Sequence, residues 1–342
     1  MNSRYKIAIF DGRNIEYGDK NGPALPTFRP SPNPQSGQGH AAVRGGGLHD
    51  VQAHPLGSGN DGEPFCPRCG CVAVYEYRSR RIFKCQGCHS QFSITTATIF
   101  ASRKLPIRDL LAAIAIFVNG AKGISALQLS RDLDCQYKTA FVLAHKLREA
   151  MGAEMNARRL SGHVEIDGAY FGGYVRPENR KEDRKDLRLR EHQSGKRRVV
   201  VVMRERGGNT LPFVFNAEDE AVPTIQARVM PGSTVYADEA SCWDALHARF
   251  EAKRVSHSIM FQDEGKADTN QAESYFSRLR RAEIGTHHRI SGRYLHSYAN
   301  EMAWREDNRR KPNGTQYLLV IVAALGHPVS QEWKGYWQRS VN

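Results

Sequence analysis

Two pairs of cysteines constrain this chain more than any other feature. Cys66-Pro67-Arg68-Cys69 and Cys85-Gln86-Gly87-Cys88 are C-x-x-C knuckles, with fifteen residues between Cys69 and Cys85. Each knuckle turns tightly enough to aim two thiolates at one point, and two knuckles complete the tetrahedron of a zinc ion. Four thiolates leave no open coordination position, so the zinc expected here is structural. Residues 72–77 and 81–84 read as the strands of a small hairpin between the knuckles, and Cys71 and His89 beside them are alternative ligands. Arg68, Arg78, Arg80, Arg81 and Lys84 make this zinc-ribbon module, 63–95, basic. Seven cysteines, an odd number, fit a reducing compartment better than a disulfide framework, and the cytoplasm is the expected location.

The charge balance points to the class of partner. The 342 residues carry a formal net charge of +13, which predicts attraction to a polyanion, with nucleic acid the first candidate and a membrane surface the second. The membrane surface is disfavoured, because the sequence has no basic amphipathic helix with a large apolar face and no lipidation motif, and the longest apolar runs, 110–118 and 318–325, are far shorter than the ~18 residues of a span. No basic stretch leads into an apolar one at the N-terminus, so no secretory leader is expected. Residues 1–62 contain a candidate strand at 5–10, then a Gly-, Pro-, Ser- and His-rich stretch without apolar periodicity, expected to be disordered.

Residues 104–155 read as helical. Segments 125–133 and 137–151 are joined by a tight turn at Asp134-Cys135, and the second carries Lys138, Thr139, His145, Lys146 and Arg148. This is the pattern of a helix-turn-helix, with a plain helical linker as the bland alternative. The neighbouring basic ribbon favours DNA binding.

An α/β region, 160–312, follows. Residues 164–171 form a short strand that ends in Gly172-Gly173 and has Asp167 in its middle. An Asp is disfavoured inside a strand, so it is present either for chemistry or as decoration on a solvated edge. The stretch 176–198, with Arg176, Arg180, Lys181, Arg184, Lys185, Arg188, Arg190, Lys196, Arg197 and Arg198, is expected to be a solvated loop able to face phosphates. Strands at 199–203 and 211–215, a helix at 221–229, a strand at 233–239 containing Asp238, a helix at 243–250 and a strand at 254–260 come next. A helix capped by Asp268 or Thr269 runs to 282 and carries Glu273 and Arg280 two turns apart on one face. A last long helix at 294–310 precedes a less regular tail, 313–342. Asp167, Asp238 and Glu273 are hard oxygen donors on separate elements, a set suited to two Mg²⁺ or Mn²⁺ ions and to phosphodiester chemistry.

Taken in order, these stretches resemble the DDE transposases of bacterial insertion sequences, in the ISXO-like (IS-fifteen-ninety-five) group. The resemblance is carried by the Cys-Pro-Arg-Cys-Gly ribbon, by Glu165-Ile166-Asp167 with Tyr170-Phe171-Gly172-Gly173, and by Tyr236-Ala237-Asp238. It continues through Thr269-Asn270-Gln271-Ala272-Glu273, Gly285-Thr286-His287-His288-Arg289, and Tyr298, Glu301, Trp304-Arg305 and Arg309. It implies a ribonuclease-H-like core that cuts and rejoins double-stranded DNA at terminal inverted repeats, acting as a homo-oligomer with Mg²⁺ at the acidic triad. Asp167 and Asp238 match the two aspartates of the group. Its third position is Glu or Asn; this chain offers both Glu273 and Asn270, and Glu273 is favoured. The Lys that the group places seven residues later is Arg280 here, a departure that leaves a catalytically inactive, DNA-binding derivative as the alternative. A nuclease that cuts without joining shares the same site chemistry.

Overall fold

The computed structural model describes residues 64–173, 178–186, 194–238, 241–255 and 269–339, all within one compact unit. The segment 1–62, residues Arg176, Arg188 and Arg190 of the basic loop, the end of the expected strand at 256–260 and the Asp268 cap lie outside them.

The ribbon is a three-stranded antiparallel sheet of β1 (Val74–Tyr77), β2 (Ile82–Cys85) and β3 (Gln91–Phe92). The third strand was not expected. It is only two residues long, and it pairs Phe92 with Phe83, whose rings stack at 5.4 Å. Cys66, Cys85 and Phe92 are the buried core of this module, too small to hold it without the thiolates' help.

Three helices follow: α1 (Ile107–Asn119), α2 (Ala126–Asp132) and α3 (Tyr137–Asn156). The Ser125 hydroxyl accepts the Gln128 N–H at 3.1 Å and fixes the start of α2. Asp134, with φ of 47°, makes the turn between α2 and α3. His145 and Arg148, carried with Lys138, Thr139 and Lys146 on the second helix of the expected helix-turn-helix, are 0% and 1% exposed. They turn inward because α3 packs on α6 (Leu295–Asn308) and α7 (Asn313–Gly326). The expected irregular tail is also corrected. Residues 313–326 are helix α7, packed on α1 and α3, and Trp333 beyond it is buried against His145 with ring centroids 4.2 Å apart.

The larger sheet contains β4 (His163–Gly172), β5 (Arg197–Glu205), β6 (Thr210–Phe215), β7 (Thr234–Asp238) and β8 (Glu251–Val255) in the order β6-β5-β4-β7-β8. β4–β5 and β5–β6 pair antiparallel, whereas β4–β7 and β7–β8 pair parallel. An antiparallel meander continued by parallel strands, with helix α4 (Val222–Arg228) in the crossover, is the ribonuclease-H-like arrangement. The strand carrying Asp167 is therefore central, not an edge. The helix expected at 243–250 is 3₁₀ over Ser241–Ala248, and the last strand begins at Glu251 rather than 254. Helix α5 (Asn270–Ala282) packs on β4 and α6 through Ala272, Tyr275, Phe276 and Leu279.

Helix α6 is largely buried, and its buried charges are paired. Arg148 Nε donates to Glu301 at 2.6 Å, and Arg305 donates to Glu301 at 2.9 Å and to the carbonyls of Phe117 and Val118 at 2.7 and 3.1 Å. Burial alone would raise the Glu301 carboxyl, but the two guanidinium groups outweigh it and hold it near 2. Gly123, at φ of +80°, leaves room for this carboxylate; a Cβ there would stand 2.8 Å from Oε1.

Candidate active site

The sheet register places the first two acids. β4 and β7 run in parallel with Glu165 opposite Tyr236 and Ile166 opposite Ala237, a register that leads directly on to Asp167 and Asp238. Trp243 Nε1 donates to Asp238 Oδ1 at 2.9 Å and steadies that carboxylate. The third acid comes on α5. Asp167, Gly168, Glu273, Phe276, Ser277, Arg280 and Arg281 line one cavity of about 590 Å³. Asn270, in the first turn of α5, does not line it.

The electrostatics of Asp167 reflect burial and its acidic neighbours. Burial pushes the Asp167 carboxyl up to about 6; the Gly168 N–H, at 2.7 Å, opposes that, while Asp238, Glu273 and Glu218 add to it. A cluster of carboxylates that resist joint ionisation is a hard-oxygen donor set, the chemistry that suits Mg²⁺ or Mn²⁺. Arg280 brings a cation to the same cavity.

Two acidic residues of the site escaped sequence reasoning. Glu165, 0% exposed, accepts the α5 N–H groups of Gln271 and Ala272 at 2.8 and 3.1 Å and pairs with Arg206 at 2.9 Å. Burial pushes its carboxyl up, opposed by those N–H groups and by Arg206, whose guanidinium lies 4.1 Å over the Tyr236 ring. The strand that bears Asp167 thus fastens the helix that bears Glu273. The second residue, Glu218, lies so close over Gly168 that a Cβ there would stand 2.7 Å from its Oε1. Its carboxyl is raised by burial and by Asp238, although the Cys242 thiol donates to it. The signal for Glu165 was its spacing, two residues from Asp167 and on the same strand face.

The thiolate site is built locally. Cys66 and Cys88 Sγ are 3.6 Å apart, Cys69 and Cys85 Sγ are 3.5 Å apart, and all four sulfurs lie within 4.8 Å of one another. A tetrahedron with Zn–S near 2.3 Å has edges of about 3.8 Å, so the four residues fit zinc. The Cys88 N–H, 3.4 Å from Cys85 Sγ, draws that thiol down to about 6, and the Ser90 N–H lowers Cys88. Cys71 stands aside from the four and donates to the Ala73 carbonyl at 3.7 Å. Among the described residues no other His, Cys, Asp and Glu group converges as tightly, and the Asp167 carboxylates are more widely set.

Residues 159–307 match the ISXO2-like transposase domain family. The matched span holds β4 to β8, α5 and α6, and therefore every acid of the site. Among solved structures, the Mos1 strand transfer complex is similar at 12% identity over 65% of this chain and 80% of that one, with a TM-score of 0.23. A pre-cleavage Mos1 transpososome is similar at 11% identity over the same shares, also with a TM-score of 0.23. Likeness at that score carries no argument, and the fold rests on the strand order above. No curated protein matches the chain. Among the described residues, no helix is long and apolar enough to cross a membrane.

Proposed function

We propose that this chain is the transposase of an insertion sequence, which binds the ends of its element and catalyses metal-dependent DNA cleavage and strand transfer. The observation that carries this is the meeting of Asp167, Glu273 and Arg280 in one cavity, with Asp238 next in register beside Asp167. Asp167, Asp238 and Glu273 would hold the divalent ions, with Asn270 as the alternative third member. Bound ions of this kind activate an attacking hydroxyl and stabilise the leaving oxygen of a phosphodiester. Arg280 presents a planar fork to a non-bridging phosphate oxygen, where it keeps the charge of a Lys but narrows the approach. Glu165 orients α5, and Trp243 orients Asp238.

End recognition belongs in this reading to the ribbon and to α2–α3 as a helix-turn-helix. Tyr75, Tyr77, Arg78, Arg80 and Arg81 are exposed on the ribbon, and Lys138 is exposed at the start of α3. Phosphates of duplex DNA are the complementary partner. A multimer spanning two ends, working in the bacterial cytoplasm on nucleoid DNA, completes the picture. The family match does not favour the inactive, DNA-binding alternative.

The test is an in vitro reaction on a duplex carrying the element's terminal inverted repeat. Asp167→Asn and Asp238→Asn should each lose strand cleavage by more than a hundredfold while retaining a salt-sensitive band shift (about the loss expected of a metal ligand). Wild-type cleavage rates in either variant would refute the assignment. Cleavage by the wild type without joined products would instead indicate a nuclease.

A further inference from the structure

A second cavity lies away from the carboxylates, and it shares no lining residue with them. It is a half-open groove of about 610 Å³ between the segment that leaves the ribbon, the first three turns of α3 and the C-terminal segment 333–338. Its cations are Arg103, Lys104, Lys138, Lys146 and Lys334, and no Asp or Glu is among its lining residues. Glu149, the acidic neighbour of Lys146, stays outside the lining. The α3 N-terminus opens toward the same groove at Gln136, whose side chain makes no cap, so a 20-residue helix adds its positive pole.

The aromatic lining decides what kind of anion fits. Trp337 is 44% exposed although three contacts hold it in place: its Nε1 donates to the Lys138 carbonyl at 3.2 Å, Lys138 Nζ lies 5.3 Å from its ring centroid, and Phe141 packs at 5.7 Å. Tyr336 stands beside it, 5.2 Å between centroids. A half-open indole in a groove lined by five cations offers a stacking face and phosphate contacts within one small volume. A duplex keeps its base faces stacked inward and presents no face to this ring; an unpaired nucleotide does.

We propose that this groove binds an unpaired nucleotide of a single DNA strand, with the base against Trp337 and the phosphate toward Lys138 and Lys146. The groove's lining lies outside residues 159–307. The inference rests on the DNA-processing reading above.

The test uses the full-length protein and two labelled probes followed by fluorescence anisotropy: a short oligothymidine and an abasic strand of equal length. Wild type should bind the base-bearing strand about tenfold tighter than the abasic one. Trp337→Ala should erase that gap, and Trp337→Phe should keep most of it. Lys146→Gln should weaken both probes and reduce the salt slope by about one, leaving the base preference in place. Absence of a gap in the wild type, or an equal gap in Trp337→Ala, would overturn the proposal. If the wild type binds and cleaves end duplex yet shows no gap, the groove assignment alone falls. If it binds no DNA of any kind, the DNA-processing reading and the groove fall together.

Discussion

The thiolate tetrad and the carboxylate site are both candidate metal-ligand sets, but they are built in opposite ways. The tetrad spans 66–88, and each of its knuckles contributes two ligands within four residues of chain. Its geometry is set by local turns, and its own core is three buried residues. The carboxylate site draws on β4, β7 and α5 across 167–273, so the whole sheet must form first. Its ligands are positioned by other residues: Glu165 fastens α5 to β4, and Trp243 holds Asp238. A local site needs its ion to fold, whereas a distributed site is folded first and binds its ion afterwards.

The largest effect should come from breaking the local site. Removal of zinc by a chelator, or Cys69→Ser, should abolish order across 64–95, seen as loss of amide-exchange protection there, while the exchange of β4 and β5 is unchanged. Protection persisting in the ribbon after zinc removal would show that three buried residues suffice.

The next largest effect should come from the fastening. Glu165→Ala leaves Arg206 and two α5 N–H groups without their acceptor, and should cost about 3 kcal/mol of stability in urea unfolding. Its cleavage activity should fall with α5, whereas Glu165→Gln, which keeps one acceptor, should recover part of both. A variant with full stability and full activity would remove Glu165 from the account.

How much of this was legible follows the same division. The tetrad could be read from spacing, because C-x-x-C fixes two ligands on a single turn. Asp167, Asp238 and Glu273 were legible as residues, but not their surroundings. β4 resembled an edge because its parallel partner β7 arrives some seventy residues later, a distance at which sequence pattern says nothing about pairing. Glu165 passed as the polar position of an alternating strand, since only α5 reveals what it binds. The burial of His145 and Arg148 was not legible because the partners that bury them, Glu301 and Trp333, lie more than 150 residues away. Helix α7 was missed because 313–326 contains no charged residue to mark its solvent face.

A smaller effect concerns acid and base. The Asp167 carboxyl titrates near 6 in the folded chain against an ordinary 3.8, so the native state binds the proton more tightly than the unfolded state does. Without divalent ions, stability should therefore fall as pH rises from about 4 to about 6, by at most about 3 kcal/mol before solvent screening. Asp167→Asn should remove that fall and melt higher than the wild type at pH 7, a gain in stability obtained at the expense of function. A wild-type melting curve flat across that window would contradict the crowding of Asp167 by Asp238, Glu273 and Glu218.

The most direct measurement is a calorimetric titration of the zinc-loaded protein with Mn²⁺ at pH 7. The wild type should bind Mn²⁺, Asp167→Asn should lose that binding, and Cys69→Ser should keep it, because the two ligand sets fold and bind independently. Equal Mn²⁺ binding by the wild type and Asp167→Asn would contradict the proposal that Asp167, Asp238 and Glu273 form a metal-holding centre.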